Sequence, residues 1–498
     1  MQQKPKGTRD FLPDETFKLQ ILESLIQQTV ETSCYREIRT PIFEHSDVFV
    51  RSSGDSSDIV NKEMYSFLDR GNRSLSLRPE GTAGVIRALV ENKAYANVDL
   101  PLRYYYLGPS FRYERPQAGR FRQFQQLGVE SIGVRSPYLD AEVILLAIDV
   151  LNSVGVNDLK LKINSIGDST SRDKYKKALQ DYFKPYLDKL CEDCQVRYEK
   201  NPLRILDCKI DGDKDYMQNC PNISDYLSQE SKDYFKKVLE ILDGLEIDYE
   251  IDNKLVRGLD YYNDTVFEIY VKAPSGTDYG AIIAGGRYDQ LVEQFGGPDM
   301  PAFGFGLGLD RLLALCEELE VFKPYQDSIT AYIMPLEKSA FPYAFYIANY
   351  LRLNGVDAEI DYQMRSIKSQ FKSVERKNAT LALLVGSTEH ASQSVTVKIN
   401  ATKEQKIMPL DQLLDFILSL QDKHCDCKEH EHDEHCGCTK HEHDEHCECK
   451  EHEHDEHCEC KEHEHGEHCD CKEHEHDERC SKQSHDKKGT CAKHKEEK

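Results

Sequence analysis

Apolar residues in the first part of the chain follow helical spacing and then lose it. Leu19, Leu22 and Val30 fall on one face of the segment 14–33, which predicts an amphipathic helix. Residues 35–50, which contain the run REIRTPIFE with its proline, lack that spacing and predict an extended segment. The chain is therefore expected to open with a helix followed by extended structure.

Two predicted strands joined by a basic loop occupy residues 102–133, and the rest of the chain is organised around them. Three consecutive tyrosines lead to a predicted turn at Gly108-Pro109, after which the extended pattern resumes. The loop 115–122 carries three arginines together with a proline and a glycine. The second strand is predicted at 124–132, where apolar and β-compatible residues dominate.

Side chains on these strands should alternate between two faces, because successive Cβ atoms of a strand point in opposite directions. Leu127 and Val129 are expected in a core, and Gly128 leaves room on the opposite face. A solvated polar face is the ordinary interpretation, but the arginines of the adjoining loop favour an anionic ligand. The side chains expected on the polar face are Arg112, Glu114, Gln126 and Glu130.

A hairpin and a helix are predicted between residues 64 and 92. The strands 64–68 and 74–77 flank a turn, and after the run RPEGT a helix opens with Thr82 as its expected N-cap. The free N–H groups at a helix start suit a carboxylate or a phosphate. An ordinary capping turn is the alternative interpretation.

The segment 166–248 changes character, with charged helical stretches and few strand signals, and it is predicted to be an insertion. Its four cysteines begin with C-x-x-C spacing, which suggests a zinc site in a reducing compartment. Because the second pair lacks that spacing, small buried hydrophobic residues are the alternative. The candidate zinc ligands are Cys191, Cys194, Cys208 and Cys220.

Three motifs follow between residues 255 and 315, and they read LVRGLDYY, AGGRYD and GFGLGLDRLL. The first contains Arg257 before a bend, and the last places glycine at alternate positions ahead of Arg311 in a helix. Alternate glycines let a flat ligand approach a strand closely. The arginine can then meet a phosphate, although a tightly packed sheet explains the glycines equally well.

Strand and helix patterns alternate in the segment 335–420 and its flanks, which predicts an α/β unit. The predicted strands are 331–334, 356–362, 381–385 and 395–399, and the predicted helices are 338–353, 367–377 and 410–420.

The net charge of −24 argues against a broad surface that coats DNA, although it leaves room for local basic loops. No apolar run is long enough for a membrane span and the N-terminus lacks a signal-peptide pattern, so a cytoplasmic protein is expected. Disulfides are not expected in that compartment, despite 18 cysteines.

The segment 423–498 repeats the unit HCxCKEHEHDE every eleven residues and has almost no apolar residues, so it is predicted to be disordered without metal. Its thiols and imidazoles are ligands for Zn²⁺, Ni²⁺ or Cu⁺. A repeat-expanded solvated tail without a selected role is the alternative. The candidate ligands are Cys425, Cys427, His430, His432, Cys436, Cys438, His441, His443, Cys447, Cys449, His452, His454, Cys458, Cys460, His463, His465, Cys469, Cys471, His474 and His476.

The run FRYERPQAGRFRQFQQLGVE resembles motif 2 of class II aminoacyl-tRNA synthetases in its histidyl form. REIRTPIFE resembles motif 1, GFGLGLDRLL resembles motif 3, and LVRGLDYY and AGGRYD resemble the two histidine signatures. The resemblance implies an α+β fold: an antiparallel-sheet catalytic domain at 1–324 with a helical insertion at 166–248, and an α/β anticodon-binding domain at 325–422. The tail lies outside the resemblance.

The resemblance also implies a histidine–tRNA ligase that uses ATP with Mg²⁺, acts on L-histidine and tRNA(His), and forms a homodimer. From the charge and the apolar pattern, no membrane or DNA partner is expected. Arg112 and Arg257 are the implied catalytic residues, and Arg112, Glu114 and Arg311 are implied to bind ATP. The implied histidine-binding residues are Glu80, Thr82, Gln126, Glu130, Tyr261, Tyr262 and Tyr288. The loop residues expected near the tRNA acceptor end are Arg115, Gln117, Arg120 and Arg122.

Two other function classes fit part of the sequence. A histidine-sensing, non-catalytic paralogue, such as the regulatory subunit of ATP phosphoribosyltransferase, shares the catalytic fold. It usually loses the ATP-binding arginines and the anticodon domain, both of which this sequence retains. A metal-storage protein with a synthetase body as carrier explains only the tail.

Overall fold

The computed structural model describes residues 2–54, 57, 59–115, 119–322 and 328–422. The chain forms two units, residues 1–408 and 409–498. The α-helices are α1 (Pro13–Thr32), α2 (Ser46–Ser53), α3 (Thr82–Glu91), α4 (Pro137–Ser153), α5 (Ser169–Phe183), α6 (Glu192–Lys200), α7 (Gln229–Gly244), α8 (Leu291–Gln294), α9 (Leu309–Glu318), α10 (Phe341–Leu353), α11 (Ile367–Arg376), α12 (Ser387–Ala391) and α13 (Leu413–Asp422). The strands are β1 (Arg36–Glu37), β2 (Phe43–His45), β3 (Ser66–Leu68), β4 (Ser74–Leu77), β5 (Leu102–Phe111), β6 (Gln123–Ile132), β7 (Leu159–Ser165), β8 (Tyr249–Ile251), β9 (Asn263–Val271), β10 (Ile283–Arg287), β11 (Ala302–Gly308), β12 (Ala331–Pro335), β13 (Ala358–Ile360), β14 (Leu381–Val385), β15 (Ser394–Ile399) and β16 (Gln405–Pro409).

An eight-stranded sheet in the order β1-β5-β6-β11-β10-β9-β7-β8 forms the centre of the first unit. The six inner strands run antiparallel to their neighbours, whereas β1 and β8 join the two edges in parallel. The antiparallel α+β fold expected from the sequence is therefore confirmed.

The two faces of this sheet carry different partners. Leu127 and Val129 of β6 are fully buried in a core with helices α1, α4, α7 and α9. The opposite face of the sheet packs against α3, α5 and the tyrosines that follow Arg257. The side chains of β6 therefore alternate between the two faces of the sheet as the sequence predicts. The face that carries Gln126 and Glu130 lies away from the main core.

The predicted turn at Gly108-Pro109 is wrong, because β5 continues through both residues. Gly108 pairs with Gln126 and Pro109 with Gln125 in an unbroken antiparallel register. The neighbouring strand β1 pairs with β5 only at Tyr104 and Tyr105. The strand β1 does not reach Pro109, whose carbonyl oxygen accepts instead from Arg78 Nε at 2.7 Å. A strand edge of this kind tolerates a residue without an N–H group.

The extended segment predicted at 35–50 is interrupted. It contains the short strands β1 and β2, but helix α2 begins at Ser46. Phe49 and Ser52 are both buried and lie three residues apart, so this short helix has a helical rather than an alternating pattern.

The predicted insertion is helical and contains no strand between residues 166 and 248, all of which are described. Its last helix, α7, buries Tyr234, Val238 and Leu242 in the main core beside α4. Helix α5 and the cysteine segment pack instead on the other side of the sheet. The limits of the insertion, and the domain limits at 324 and 422, remain predictions.

A five-stranded sheet in the order β13-β12-β14-β15-β16 carries the predicted second α/β pattern. Strands β12, β13 and β14 are parallel, and β15 is antiparallel to β14. Within the second unit the structure describes a short 3₁₀ turn, Leu410–Gln412, and then α13. Among the described residues, no helix has the length and apolar character needed to cross a membrane.

Candidate active site

A cavity opens on the polar face of the large sheet, beside the start of α3. It encloses about 940 Å³ of free space including its mouth, which is within the range of about 300–1,000 Å³ typical of ligand pockets. Three arginines from separate parts of the sequence line it, namely Arg112, Arg257 and Arg311. The other predicted site residues along its wall are Glu80, Thr82, Glu114, Arg120, Gln126, Glu130, Tyr261, Tyr262 and Tyr288.

Glu130 lies at the floor of the cavity and is almost fully buried. Thr82 Oγ1 donates a hydrogen bond of 2.6 Å to one carboxylate oxygen, and Tyr288 Oη donates to the other. Burial raises the pKa of Glu130 to about 8, although the two donors lower it and Glu80 raises it further. The site therefore contains a carboxyl group that can hold or release a proton near neutral pH.

The RPEGT turn does not use Thr82 as the N-cap of α3, so that prediction is wrong. The carboxylate of Glu80 does the capping, accepting hydrogen bonds from the backbone N–H groups of Thr82 at 2.6 Å and Ala83 at 3.0 Å. The Thr82 hydroxyl is thereby left to Glu130. Burial raises the pKa of Glu80 as well, against the lowering effect of these hydrogen bonds.

The glycines of the sheet make room for neighbouring side chains. A Cβ atom at Gly128 would lie 2.0 Å from the Tyr106 ring, and one at Gly81 would lie 2.2 Å from it. The group accommodated at Gly128 is therefore Tyr106, which lines the cavity and which sequence reasoning placed only in a strand.

The alternate glycines of β11 have the same function. A Cβ at Gly304 would lie 2.3 Å from a carboxylate oxygen of Glu130, and one at Gly306 would lie 2.7 Å from the Gln126 amide nitrogen. These glycines also face the cavity, so a ligand and the two side chains share the space. The tight-packing alternative explains part of the GFGLG pattern.

Positive charge gathers at one end of the cavity. Arg120 lies 3.3 Å from Glu114, Arg112 lies 3.9 Å from the same carboxylate, and Arg311 donates to the carbonyl oxygen of Ala281 at 2.9 Å. Burial lowers the pKa of Arg311, and its neighbours Arg120 and Arg112 lower it further. Three guanidinium groups with one carboxylate among them favour a polyanionic ligand.

Arg257 is paired with Glu268, and the two side chains are only 15% and 13% exposed. Tyr270 donates a hydrogen bond to the other oxygen of Glu268, so the carboxylate is held from two sides. Among the described residues, the buried Nε atom of Arg257 has no hydrogen-bond partner. Sequence reasoning missed Glu268, because β9 shows no motif at this position apart from its strand pattern.

Three tyrosines form an aromatic wall beside Glu130. The ring centres of Tyr261 and Tyr262 are 4.6 Å apart, and Tyr288 lies edge-on to Tyr261 at 5.5 Å. The guanidinium of Arg257 lies 5.5 Å from the Tyr262 ring. This arrangement suits a flat ring with polar nitrogen atoms, which the wall encloses while Glu130 bonds to one nitrogen.

The loop residues expected near the tRNA acceptor end differ in their surroundings. Arg120 lines the cavity, Arg115 is exposed, and Gln117 lies outside the described residues. The guanidinium group of Arg122 packs on the Tyr113 ring at 3.7 Å and donates a hydrogen bond to the Glu114 carbonyl oxygen. It is therefore already engaged in contacts within the chain.

The arginine and the tyrosine of the motif AGGRYD point to opposite sides of the sheet. Tyr288 faces the cavity, whereas Arg287 is fully buried behind the sheet with Asp140 and Asp289. Desolvation raises the pKa of Asp140 to about 6 in spite of the lowering effect of Arg287. Arg287 is therefore a buried structural ion-pair partner.

The N-terminal segment supports the cavity from outside and was not recognised from the sequence. Arg9 lies 3.3 Å from Asp310, whose other carboxylate oxygen accepts from the Gln125 N–H at 2.6 Å. Asp310 also lines the cavity, immediately before Arg311. The basic entry of the chain is thus tied to both β6 and α9.

The prediction of four cysteines as zinc ligands is wrong for one of the four, Cys220. Cys191, Cys194 and Cys208 come together with Asp211, whereas Cys220 is not part of this group. The sequence signal for Asp211 is its spacing, since Cys208-x-x-Asp211 repeats the geometry of Cys191-x-x-Cys194 with a carboxylate as the last ligand. The tail ligands predicted beyond residue 422 lie outside the described residues.

Known proteins resemble this chain over most of its length. Residues 7–312 match the family model described as Histidyl-tRNA synthetase, and residues 330–420 match the Anticodon binding domain. The chain is 48% identical over 415 residues to a Histidine--tRNA ligase of Geobacillus sp. (strain WCH70), covering 83% of this chain and 98% of the relative. It is 47% identical over 410 residues to the Histidine--tRNA ligase of Bacillus subtilis (strain 168), covering 82% and 97%. The solved structure of apo S. aureus histidyl-tRNA synthetase is similar with a TM-score of 0.71 and 38% identity, covering 84% of this chain and 100% of that one.

Proposed function

Because the chain belongs to the histidyl-tRNA synthetase family, we propose that it activates L-histidine with ATP and transfers the histidyl group to the 3′ end of tRNA(His). The observation that carries this proposal is the convergence of Arg112, Arg257 and Arg311 on the cavity that contains Glu130. A reaction between two anions needs cationic groups placed where negative charge grows. Glu130, the polar residue at the cavity floor, makes the site selective for the amino acid.

In the first step, a carboxylate oxygen of histidine attacks the α-phosphorus of ATP, and the bond to the bridging oxygen of pyrophosphate breaks. Arg112 and Arg257 are the groups we assign to the reacting carboxylate and α-phosphate. Arg311 is assigned to the γ-phosphate end and Glu114 to the adenine. Mg²⁺ is expected on the ATP phosphates, which supply much of its oxygen coordination and whose charge it partly neutralises.

The histidine side chain is assigned to the aromatic wall and Glu130. Each Glu130 oxygen already has one donor, but a carboxylate oxygen can accept two hydrogen bonds, so one imidazole N–H can be added. Tyr261 and Tyr262 enclose the ring. Such a site rejects apolar analogues by about 10⁴-fold or more, because they leave buried polar groups unpaired.

The α-ammonium group is assigned to the RPEGT turn, with Gln126 nearby. The Glu80 carboxylate caps α3, yet each of its oxygens keeps a free acceptor position. The Thr82 hydroxyl donates to Glu130 and can still accept. These three polar side chains therefore frame one end of the amino acid while Glu130 frames the other.

In the second step, a terminal ribose hydroxyl of tRNA attacks the histidyl carbonyl and AMP leaves. Arg115, Gln117, Arg120 and Arg122 are assigned to the neighbourhood of the acceptor end by their place in the motif 2 loop. The segment 330–420 is assigned to the anticodon. A homodimer, with the REIRTPIFE segment at its interface, is part of the proposal.

A charging assay with tRNA(His), L-histidine and ATP tests the proposed function, with a tRNA for another amino acid as the control. We expect charging of tRNA(His) alone, and pyrophosphate exchange that depends on histidine. Histidine binding without exchange or charging would favour the histidine-sensing class instead.

We also propose that the Cys/His repeats of residues 423–498 bind Zn²⁺, Ni²⁺ or Cu⁺, on the strength of their paired thiols and imidazoles. The test compares the full chain with a chain that ends at residue 422, which still contains both segments matched by the family models, 7–312 and 330–420. Several additional equivalents of zinc bound tightly by the full chain are expected. Equal stoichiometry, or affinity no better than micromolar, would contradict a storage role.

A further inference from the structure

Three thiols and one carboxylate meet inside the segment from Cys191 to Asp211, away from the cavity described above. Their ligand atoms all lie within 4.8 Å of one another. Cys191 is the N-cap residue of α6 and Cys194 lies in its first turn, whereas Cys208 and Asp211 lie on the turn that follows the 3₁₀ segment Pro202–Ile205. Two short pairs of ligands, each with two residues between its members, therefore face each other.

The distances fit a tetrahedral metal ion. The Sγ atoms of Cys191 and Cys208 are 3.7 Å apart, and two thiolates on one Zn²⁺ at about 2.3 Å stand about 3.8 Å apart at the tetrahedral angle. A disulfide would need a separation of about 2.05 Å. The sulfur atoms of Cys191 and Cys208 are thus spaced as ligands of a shared ion.

The carboxylate of Asp211 is oriented by two hydrogen-bond donors. Asp211 is 1% exposed, and its two oxygens accept from the Cys191 N–H at 3.1 Å and from the Tyr216 hydroxyl at 2.9 Å. Among the described residues Asp211 has donors but no ion-pair partner. A buried carboxylate without an opposite charge is costly, and a divalent cation supplies that charge.

The thiols are also held in place. Cys194 and Cys208 are buried, and the Asp211 N–H donates to the Cys208 sulfur at 3.4 Å. A Cβ at Gly212 would lie 2.6 Å from the Cys208 carbonyl oxygen, so the turn closes tightly only with glycine there. Arg197 Nη1 lies 4.0 Å from Cys194 Sγ, which offsets part of the negative charge of a four-anion ligand set.

We propose that Cys191, Cys194, Cys208 and Asp211 bind one structural Zn²⁺ ion. Thiolate ligands favour this ion over Mg²⁺ and Ca²⁺, which prefer oxygen ligands alone, and the carboxylate disfavours Cu⁺. The site is closed, since four protein ligands complete a tetrahedron. Its role is therefore structural rather than catalytic.

The ion would stabilise the segment that packs next to the loop carrying Arg257. Asn201, at the end of α6, donates to the Asp260 side chain at 2.8 Å. Leu203 and Leu206, between the two ligand pairs, are buried in the same core as Tyr261 and Tyr262. Closing the segment 191–211 with a metal thus fixes the surface on which the loop carrying Arg257 rests.

Thiol protection in the full chain tests the site without interference from the tail. Total zinc content does not discriminate, because residues 423–498 offer many further thiols, but mass spectrometry of alkylated peptides reports each cysteine separately. Cys191 and Cys220 are both partly exposed and Cys220 lies outside the cluster, so they form a matched pair. In the zinc-saturated chain, N-ethylmaleimide should label Cys220 and spare Cys191. After treatment with a chelator, labelling of Cys191 should rise at least tenfold while that of Cys220 stays constant.

Two variants complete the test. Asp211→Asn keeps the shape and removes the anionic ligand, so Cys191 in the zinc-saturated variant should be labelled as fast as in the chelated wild type. Cys220→Ser should leave Cys191 protected. Equal labelling of Cys191 with and without zinc, protection that survives only until a reductant is added, or unchanged protection in Asp211→Asn would each overturn the assignment. None of these readouts depends on catalytic activity.

Discussion

The hydroxyl of Thr82 donates a hydrogen bond of 2.6 Å to the carboxylate of Glu130, 48 residues further along the chain. This contact joins the first turn of α3 to the C-terminal part of β6. It exists because Glu80, not Thr82, caps the helix and so leaves the hydroxyl free to reach the sheet. The residues assigned to the two ends of histidine are thereby coupled through one bond.

Histidine binding near pH 7 should release protons from Glu130. The pKa of this buried carboxyl is raised to about 8, so it is largely protonated before the ligand enters. An imidazole N–H that donates to Glu130 favours the ionised form and lowers its pKa. Calorimetry in two buffers with different ionisation enthalpies measures the released protons.

The variant Glu130→Gln provides the comparison for that measurement. It should release fewer protons and bind histidine about 10- to 150-fold more weakly, the effect of losing one buried hydrogen bond to a charged group. Glu80 has a raised pKa too, but it is present in both proteins, so the difference isolates Glu130. Equal proton release by both proteins would contradict the assignment.

The same carboxyl should make the stability of the ligand-free protein depend on pH. Its pKa rises from 4.5 in an unfolded chain to about 8 in the fold, so the folded state binds more protons between these values. The free energy of unfolding must then fall as the pH rises through this window. Denaturant melts at pH 5.5 and 8.5 should show Glu130→Gln gaining stability relative to wild type at the higher pH. A constant difference between the two proteins would contradict this.

Replacing Arg257 should abolish ATP–pyrophosphate exchange through loss of transition-state charge stabilisation. Arg257→Ala alone also leaves Glu268 buried without its partner, which costs about 3–5 kcal/mol of folding stability. The double variant Arg257→Ala/Glu268→Gln removes both charges and should recover much of that stability. Exchange should be absent from both variants, and normal exchange in the stable double variant would remove Arg257 from catalysis.

The sequence predicted those parts of the site that follow from local pattern. Alternation along β6 placed Gln126 and Glu130 on one face and Leu127 on the other, because that rule depends on the strand alone. The turn expected at Gly108-Pro109 failed because a paired neighbour can keep such residues extended, and pairing is not visible in local sequence.

The parts that sequence reasoning missed depend on register between distant segments. Tyr106 fits against Gly128 only because β5 and β6 pair at those positions. Glu268 meets Arg257 through the path of β9, and Asp211 replaces Cys220 because the chain folds back after α6. In each case the sequence contains a residue of the required type, but the local sequence pattern does not show that the two residues lie close together in the fold.

Adding one methyl group at Gly128 should weaken histidine binding. The new Cβ would overlap the Tyr106 ring at 2.0 Å, and this ring is buried between Gly128 and Gly81, so it must shift into the cavity. Gly128→Ala should raise the KM for histidine at least tenfold. Gly244→Ala is the matched control, since nothing lies within 4 Å of a Cβ there. Identical KM values for the two variants would show that the close fit is not needed.

Neutralising Arg311 should weaken ATP binding selectively. Arg311 is half-buried beside Arg112 and Arg120, and burial and these neighbours lower its pKa, so repulsion among the three guanidinium groups favours a polyanionic ligand. Arg311→Gln relieves this repulsion and should not destabilise the fold. It removes a charge-assisted contact of about 1.5–3 kcal/mol, so the KM for ATP in pyrophosphate exchange should rise about 10- to 150-fold while the KM for histidine stays nearly constant. The exposed Arg39, which pairs with Glu37, gives a control of equal charge change in Arg39→Gln, for which neither KM should move. If Arg311→Gln raised the histidine KM instead, the guanidinium would belong to the amino-acid end of the cavity and the proposed orientation of ATP would have to be reversed.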